Sequence, residues 1–173
     1  MAYAVDVTDA LVDFGKAPLN FRFLQTDGVT IPLANASIDL AYSNQLMEHL
    51  HPADASDQLK EIYRVLKSGG CYVCITPSRL TGPHDISCYF DYEATGFHLR
   101  EYDYAALRDV FRDAGFGQFR CYVWVRGWQI RLPYPVMRTF ELVLSVLPPQ
   151  IRAELTRPVP VCRVMGLNAV GVK

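Results

Sequence analysis

Two apolar runs, residues 37–42 and 71–76, flank a segment in which Leu59, Ile62, Tyr63 and Leu66 recur at i, i+3, i+4 and i+7. That is the spacing of one helix face. A strand, a helix and a second strand in this order need a crossover connection, and a crossover joins parallel strands. An all-β sandwich and a helical bundle are both excluded, and an α/β domain is predicted. The alternation continues on either side. Residues 3–7 and 21–25 read as strands, and residues 8–14 as a short helical turn between them. Leu46, Met47 and Leu50 share a helical face. Ser68-Gly69-Gly70 reads as a glycine stop after that first long helix, and residues 71–76 suit a strand buried on both faces. Residues 78–100 form a long loop. A helix over about 103–114 places Leu107, Val110, Phe111 and Ala114 on one face and ends at Gly115. Residues 119–125 read as a strand, 133–147 as a helix, and 162–172 as a closing strand weakened by Gly166 and Gly171.

The 173 residues fit one domain spanning 1–173, and with 50% apolar and 20% charged residues they can fill a core. Seventeen basic residues against eighteen acidic give a net charge of −1. No polyanion-binding surface follows, so a nucleic-acid partner is not expected. The five cysteines, Cys71, Cys74, Cys88, Cys121 and Cys162, are odd in number and scattered through apolar runs. They read as reduced thiols of a cytoplasmic protein. Cys71 and Cys74 have Cys-x-x-Cys spacing, but on a strand such residues point to opposite faces, so shared ligation is not expected. The opening residues are too short for a secretory apolar core, and no run approaches the length of a membrane span.

In open parallel sheets, ligands gather outside the carboxyl ends of the strands. Asp6 ends the first strand; its carboxylate can accept from both hydroxyls of a ribose or serve as a plain loop residue or cap. Asp27-Gly28 ends the second; Asp27 can accept from an exocyclic amine and the Gly28 N–H can meet a ring nitrogen. An ordinary Asp-Gly turn is the simpler reading of that pair. Together the two carboxylates can hold an adenosine. Ser43-Asn44-Gln45 and Pro77-Ser78 end the next two strands.

The stretch from Thr30 to Leu50, with Leu33, Ser37-Ile38-Asp39-Leu40-Ala41 and Glu48-His49, resembles the centre of class I S-adenosylmethionine-dependent methyltransferases of the small-molecule branch called type 11. Glu61-Ile62-Tyr63-Arg64-Val65-Leu66-Lys67-Ser68-Gly69-Gly70 is similar to that family's Arg-Val-Leu-Lys-Pro-Gly-Gly. His98-Leu99-Arg100-Glu101-Tyr102 and Ala114-Gly115-Phe116 are also family-like. The resemblance covers about residues 3–127, leaving 128–173 as a C-terminal helical segment and closing strand. It implies a Rossmann-like methyltransferase fold, with a mainly parallel sheet and an antiparallel C-terminal strand. It implies S-adenosylmethionine as cofactor, Asp6 at the ribose, Asp27 and Gly28 at the adenine, and Ser43, Asn44 and Gln45 beside the methionine part. The family's first strand and Gly-x-Gly-x-Gly loop have no counterpart before Asp6, so the chain reads as an N-terminally truncated form. Gly115-Phe116-Gly117 follows a helix and cannot substitute. The gap leaves three outcomes: direct pairing of residues 3–7 with 38–43, which is favoured because it needs no partner, a second protomer at the open edge, giving a homodimer, or a loose amino-terminal segment with the sheet from Ile38 onward folding alone.

His84 and His98 are candidate bases for a hydroxyl acceptor. Gln45, Glu48 and His49 offer ligand atoms, but Gln45 brings no carboxylate. Glu48-His49 reads as a helix-packing pair, and no metal site is expected. The resemblance implies methyl transfer to a small-molecule, sugar or lipid-linked acceptor, impaired by the missing loop. The alternative is a non-catalytic interaction domain derived from a methyltransferase.

Overall fold

The first two strands find only each other. In the computed structural model, which describes residues 1–10, 12–125, 127–156, 158 and 166–173, β1 (Ala2–Asp6) and β2 (Phe21–Gln25) run parallel, with Ala2 opposite Phe21 and Asp6 opposite Gln25. The residues between them form turns; the helical turn expected at 8–14 is not present among those described. Asp9 and Asp13 carbonyls instead close short turns with the Val12 and Lys16 amides.

A second sheet carries the core. β3 (Ile38–Asn44) and β4 (Leu66–Thr76) pair in parallel, joined by α1 (Pro52–Val65). Pro52 occupies the first helical position, where a missing N–H costs nothing. It also separates α1 from a single 3-10 turn at Met47–His49, so Glu48 and His49 do not lie on the long helix. Ala55, Leu59 and Ile62 are buried on the face that meets the sheet. The expected glycine stop is a bulge inside β4. Ile38 pairs with Leu66 but Leu40 with Cys71, and Gly69 takes a φ of +77°, which glycine adopts without penalty. β4 is not buried on both faces: Tyr72, Cys74 and Thr76 are fully covered, whereas Cys71, Val73 and Ile75 are half-buried.

α2 (Tyr104–Asp113) starts where Asp103 accepts from the Ala106 amide at 2.8 Å, an N-cap bond. It buries Tyr104, Leu107 and Phe111. β5 (Gln118–Val125) turns back as β6 (Trp128–Leu132), an antiparallel hairpin. This corrects the expectation that everything after residue 127 is helix and closing strand. Gly127, at φ +87°, supplies the left-handed residue that a tight reversal needs. α3 (Tyr134–Ser145) and α4 (Pro149–Thr156) follow. β7 (Leu167–Val172) then inserts antiparallel between β4 and β5; residues 162–165 of the expected closing strand, Cys162 among them, lie outside the described residues. The order is β3-β4-β7-β5-β6. β3, β4 and β5 share one direction, and β7 and β6 oppose it. Gly171 is where β7 meets the aromatic core: a Cβ there would stand 2.6–2.7 Å from the rings of Phe111 and Phe116.

Direct pairing of residues 3–7 with 38–43 is not formed. Among the described residues β1 pairs only with β2 and β3 only with β4. The expected driving force was the cost of burying unpaired backbone groups. These edges are not buried: Tyr3 and Val5 are more than a third exposed, and Leu40 and Tyr42 are about 60% exposed. At such exposed positions an unpaired backbone group costs little, which weakens the drive to pair the two strands. The segment leaving β2 is instead strapped to α1. Arg64 donates to the carbonyls of Ile31 and Leu33, both at 2.8 Å, and Gln58 to that of Gly28 at 3.2 Å. No helix among the described residues is long and apolar enough to cross a membrane.

Candidate functional site

The alternation of β1 and β2 with the strap sets Asp6 and Asp27 at the same end of two adjacent parallel strands. The Thr26 amide donates to the Asp6 carbonyl at 3.0 Å, tying the two exits together. Asp6 is exposed, and among the described residues its side chain accepts only from the Thr8 amide, at 3.3 Å to Oδ1. Its second oxygen is free to take a hydroxyl. Asp27 is busier. Oδ1 accepts from the amides of Val29 (2.9 Å) and Thr30 (2.7 Å), and Oδ2 from the Thr30 hydroxyl (2.9 Å). The Thr30 and Val29 amides, then the Thr30 hydroxyl, hold this carboxyl down at about 2, so Asp27 is ionised at ordinary pH. Gly28 sits at φ +96°, with its amide on the Thr26 hydroxyl at 3.2 Å. The Asp-Gly turn is therefore formed, and it leaves Oδ2 with room for one further donor. Gln25, Thr26, Asp27, Thr30 and Pro32 line a shallow depression here.

At the end of β3 the three expected residues part company. Ser43 faces inward and its hydroxyl shares a 2.6 Å hydrogen bond with that of Tyr72 in the core, so it is not open to a ligand. Asn44 and Gln45 are exposed. Gln45 has a φ of +55°, a left-handed conformation uncommon outside glycine. Its amide bonds to the Ile75 carbonyl at 2.9 Å, and the chain turns sharply away from the sheet.

The 3-10 turn beyond it meets a loop from far along the chain. Glu48 is fully buried; its carbonyl accepts from the amides of Leu99 (2.7 Å) and Arg100 (3.2 Å). Its Oε2 accepts from the Thr76 hydroxyl at 2.8 Å, at the end of β4. Its Oε1 is buried with no hydrogen-bond partner. His98 is buried, and Nδ1 bonds Glu101 at 2.8 Å. The same Glu101 oxygen accepts the His84 amide at 2.7 Å, so Glu101 holds both candidate bases. The His84 side chain is exposed and pairs through Nε2 with the Thr81 hydroxyl at 2.8 Å. Asp85 anchors the loop. Partial burial opposes its charge, but the amides of His98, Ser87 and Gly96 hold it at about 2. Sequence reading missed Glu101 as an anchor; its position three residues after His98 is the signal that was there. Alongside lies a hollow bordered by Arg79, Arg100, Glu101 and Arg152. Arg79 is committed to Asp103, leaving Arg100 and Arg152 as its cationic groups.

The parallel strands with an antiparallel strand set inside the sheet are the arrangement expected of a Rossmann-like methyltransferase fold. The known proteins agree. A family model described as a methyltransferase domain matches residues 1–74. A Mycolicibacterium smegmatis protein named as a probable S-adenosylmethionine-dependent methyltransferase is 36% identical over 86 residues, 50% of this chain and 31% of its own. The demethylmenaquinone methyltransferase of Lactococcus lactis is 29% identical over 138 residues, 65% of this chain and 54% of its own. The crystal structure of a methyltransferase of this cofactor class from Archaeoglobus fulgidus superposes with a TM-score of 0.59 at 15% identity, over 99% of this chain and 75% of that one. Residues 1–74 are thus similar to a methyltransferase domain and the chain shares the fold of S-adenosylmethionine-dependent methyltransferases; it spans about a third of the length of the mycobacterial relatives it matches.

Proposed function

We propose that this chain binds S-adenosylmethionine across the ends of β1 and β2 and serves methyl transfer to a polar small-molecule acceptor in the cytoplasm. The observation that carries the reading is the pair of ionisable carboxylates, Asp6 and Asp27, at the same end of two parallel strands. Each keeps an oxygen with spare acceptor capacity. Asp6 takes the ribose hydroxyls and Asp27 the adenine amine. Gly28 lets the backbone approach the base, and Asn44 and Gln45 border the methionyl part through exposed side chains. The cofactor supplies a methyl group already activated by a sulfonium, so the protein's share is chiefly alignment. Relatives named for menaquinone chemistry support a small-molecule acceptor. Arg100 and Arg152 beside Glu101 favour one with a polar or anionic group. Of the two histidines, His98 is the better placed, because Glu101 fixes its ring and leaves Nε2 open to a proton or a cation.

Calorimetric titration of the 173-residue chain with S-adenosylmethionine tests the reading. Saturable binding that weakens at least tenfold in Asp6→Ala, the loss on the order of 1.5–3 kcal/mol expected for a charge-assisted bond, supports it. An unchanged dissociation constant in that variant removes Asp6 from the site. No saturable binding by the parent chain overturns cofactor binding by this chain.

A further inference from the structure

We infer that Glu48, His49 and His98 form a binding site for a divalent first-row transition cation. The three come from two places, the 3-10 turn after β3 and the loop before α2, and one ligand atom from each lies within 4.8 Å of the other two. Bonds of about 2.0–2.2 Å would set such atoms roughly 3–4 Å apart, a distance reached by small side-chain rotations.

Three observations point to a ligand rather than to chance crowding. The first is Glu48 Oε1. A carboxylate oxygen buried without a donor is costly, and the other oxygen's bond to Thr76 fixes where it points. A cation would satisfy it. The second is the state of the imidazoles. Nδ1 of His98 is held by Glu101 at 2.8 Å, and Nδ1 of His49 lies 3.2 Å from the Phe97 carbonyl. Both partners are acceptors, so in the neutral rings each Nδ1 carries the proton and each Nε2 presents a lone pair. A histidine whose far nitrogen donates to a carboxylate or carbonyl is the usual partner of a bound metal. The third is the frame. The Leu99 and Arg100 amides clamp the loop to the Glu48 carbonyl, and Asp85 holds the His98 amide at 3.1 Å. The ligands are thus set before any ion arrives, and the rings of His49 and His98 already stand 4.9 Å apart.

Two imidazoles and one carboxylate suit zinc, cobalt or manganese better than magnesium or calcium, which prefer oxygen. Gln45 is not in the set; a histidine some fifty residues downstream makes up the third ligand. The site stands at the ends of β3 and β4, next to the hollow bordered by Arg100 and Glu101. A cation there occupies Nε2 of His98, so coordination takes the place of proton acceptance by that nitrogen.

The test needs no methyl transfer, so its failure and that of the cofactor reading are separable. The metal-free 173-residue chain, its accessible thiols alkylated in the folded state, is titrated with Zn(II) by calorimetry and with Co(II) by visible absorption. One equivalent should bind and raise the melting temperature. Affinity should fall at least tenfold in His49→Ala, whose exposed side chain can be removed without disturbing the core, and in His98→Ala. Glu101→Gln should weaken binding less, and Mg(II) should compete poorly. Zn(II) binding that persists unchanged in His49→Ala, or no saturable binding of either metal, would overturn the proposal. Tighter binding of Mg(II) than of Zn(II) would refute the ligand chemistry.

Discussion

Arg64 should be the most costly polar side chain to alter outside the core. All five of its guanidinium donors are used: Nε and one Nη2 proton go to the two oxygens of Glu61 (2.7 and 2.8 Å), the other Nη2 proton to Ile31 O (2.8 Å), and Nη1 to Leu33 O (2.8 Å) and the Asn35 side chain (2.7 Å). Glu61 also accepts from the Ile31 amide at 3.1 Å. The Arg64 and Glu61 side chains are 31% and 24% exposed. Three neutral acceptors at about 1 kcal/mol each and a partly solvated ion pair at about 0.5–1 kcal/mol sum to some 4 kcal/mol. Water recovers part of this once the carbonyls are freed, so Arg64→Ala should lose about 2–3 kcal/mol, a fall of roughly 5–10 °C in melting temperature. Lysine has the charge but not the planar fork, and Arg64→Lys should keep less than half of the difference. Urea denaturation gives the free energies, and amide exchange at Ile31, whose N–H is held by Glu61, reports the strap directly. A loss below about 1 kcal/mol in Arg64→Ala, or wild-type stability in Arg64→Lys, would refute the reasoning.

Three further outcomes follow from single groups. Asp85→Ala should speed amide exchange at Ser87, Gly96 and His98. The carboxylate's contribution is present above its ordinary value and is lost only as pH falls through about 2, so in wild type these amides should stay protected at pH 4; rapid exchange there would contradict the clamp. Glu141, whose carboxyl is pushed up by burial while it accepts from the Tyr104 amide, binds its proton more tightly folded than unfolded. Stability should therefore decline as pH rises from the ordinary carboxyl value through the raised one, and Glu141→Gln should abolish that slope in urea titrations at several pH values. Gly171→Ala should cost about 1–3 kcal/mol by crowding Phe111 and Phe116, and a neutral result by thermal denaturation would mean that the rings yield freely.

Local signals carried the elements whose ends are chemical. Asp103 and Gly115 bracket α2 as read, and the Leu59–Ile62–Leu66 face is buried in α1 and its exit. β6 escaped although its Trp-Gln-Ile-Arg-Leu run alternates apolar and polar, the period of a strand, directly after β5. The other misses depend on partners distant in sequence. Ser68-Gly69-Gly70 was read as a terminator because a bulge is visible only against β3. At the site, chain positions were legible but side-chain commitments were not. The two-residue period of β3 sends Ser43 inward to Tyr72, which the strand-end rule alone does not show. Glu48 and His98 are fifty residues apart, and only the fold joins them.

The two halves of the proposed cofactor site rest on different sheets. Asp6 and Asp27 stand at the exits of the β1–β2 pair, and Gln45 directly follows β3. Among the described residues no backbone ladder joins the pairs. Their relative position is set by the strap leaving β2, which Gln58 and Arg64 fasten to α1. A ligand that touches both halves must bear the entropy of fixing one against the other, unless the strap has fixed it beforehand. Arg64 touches neither carboxylate, yet it bonds the chain only a few residues beyond Asp27. In the proposed site it would therefore act as a positioning residue for the adenosine end, and cofactor affinity would depend on a guanidinium outside the pocket as well as on the acids within it.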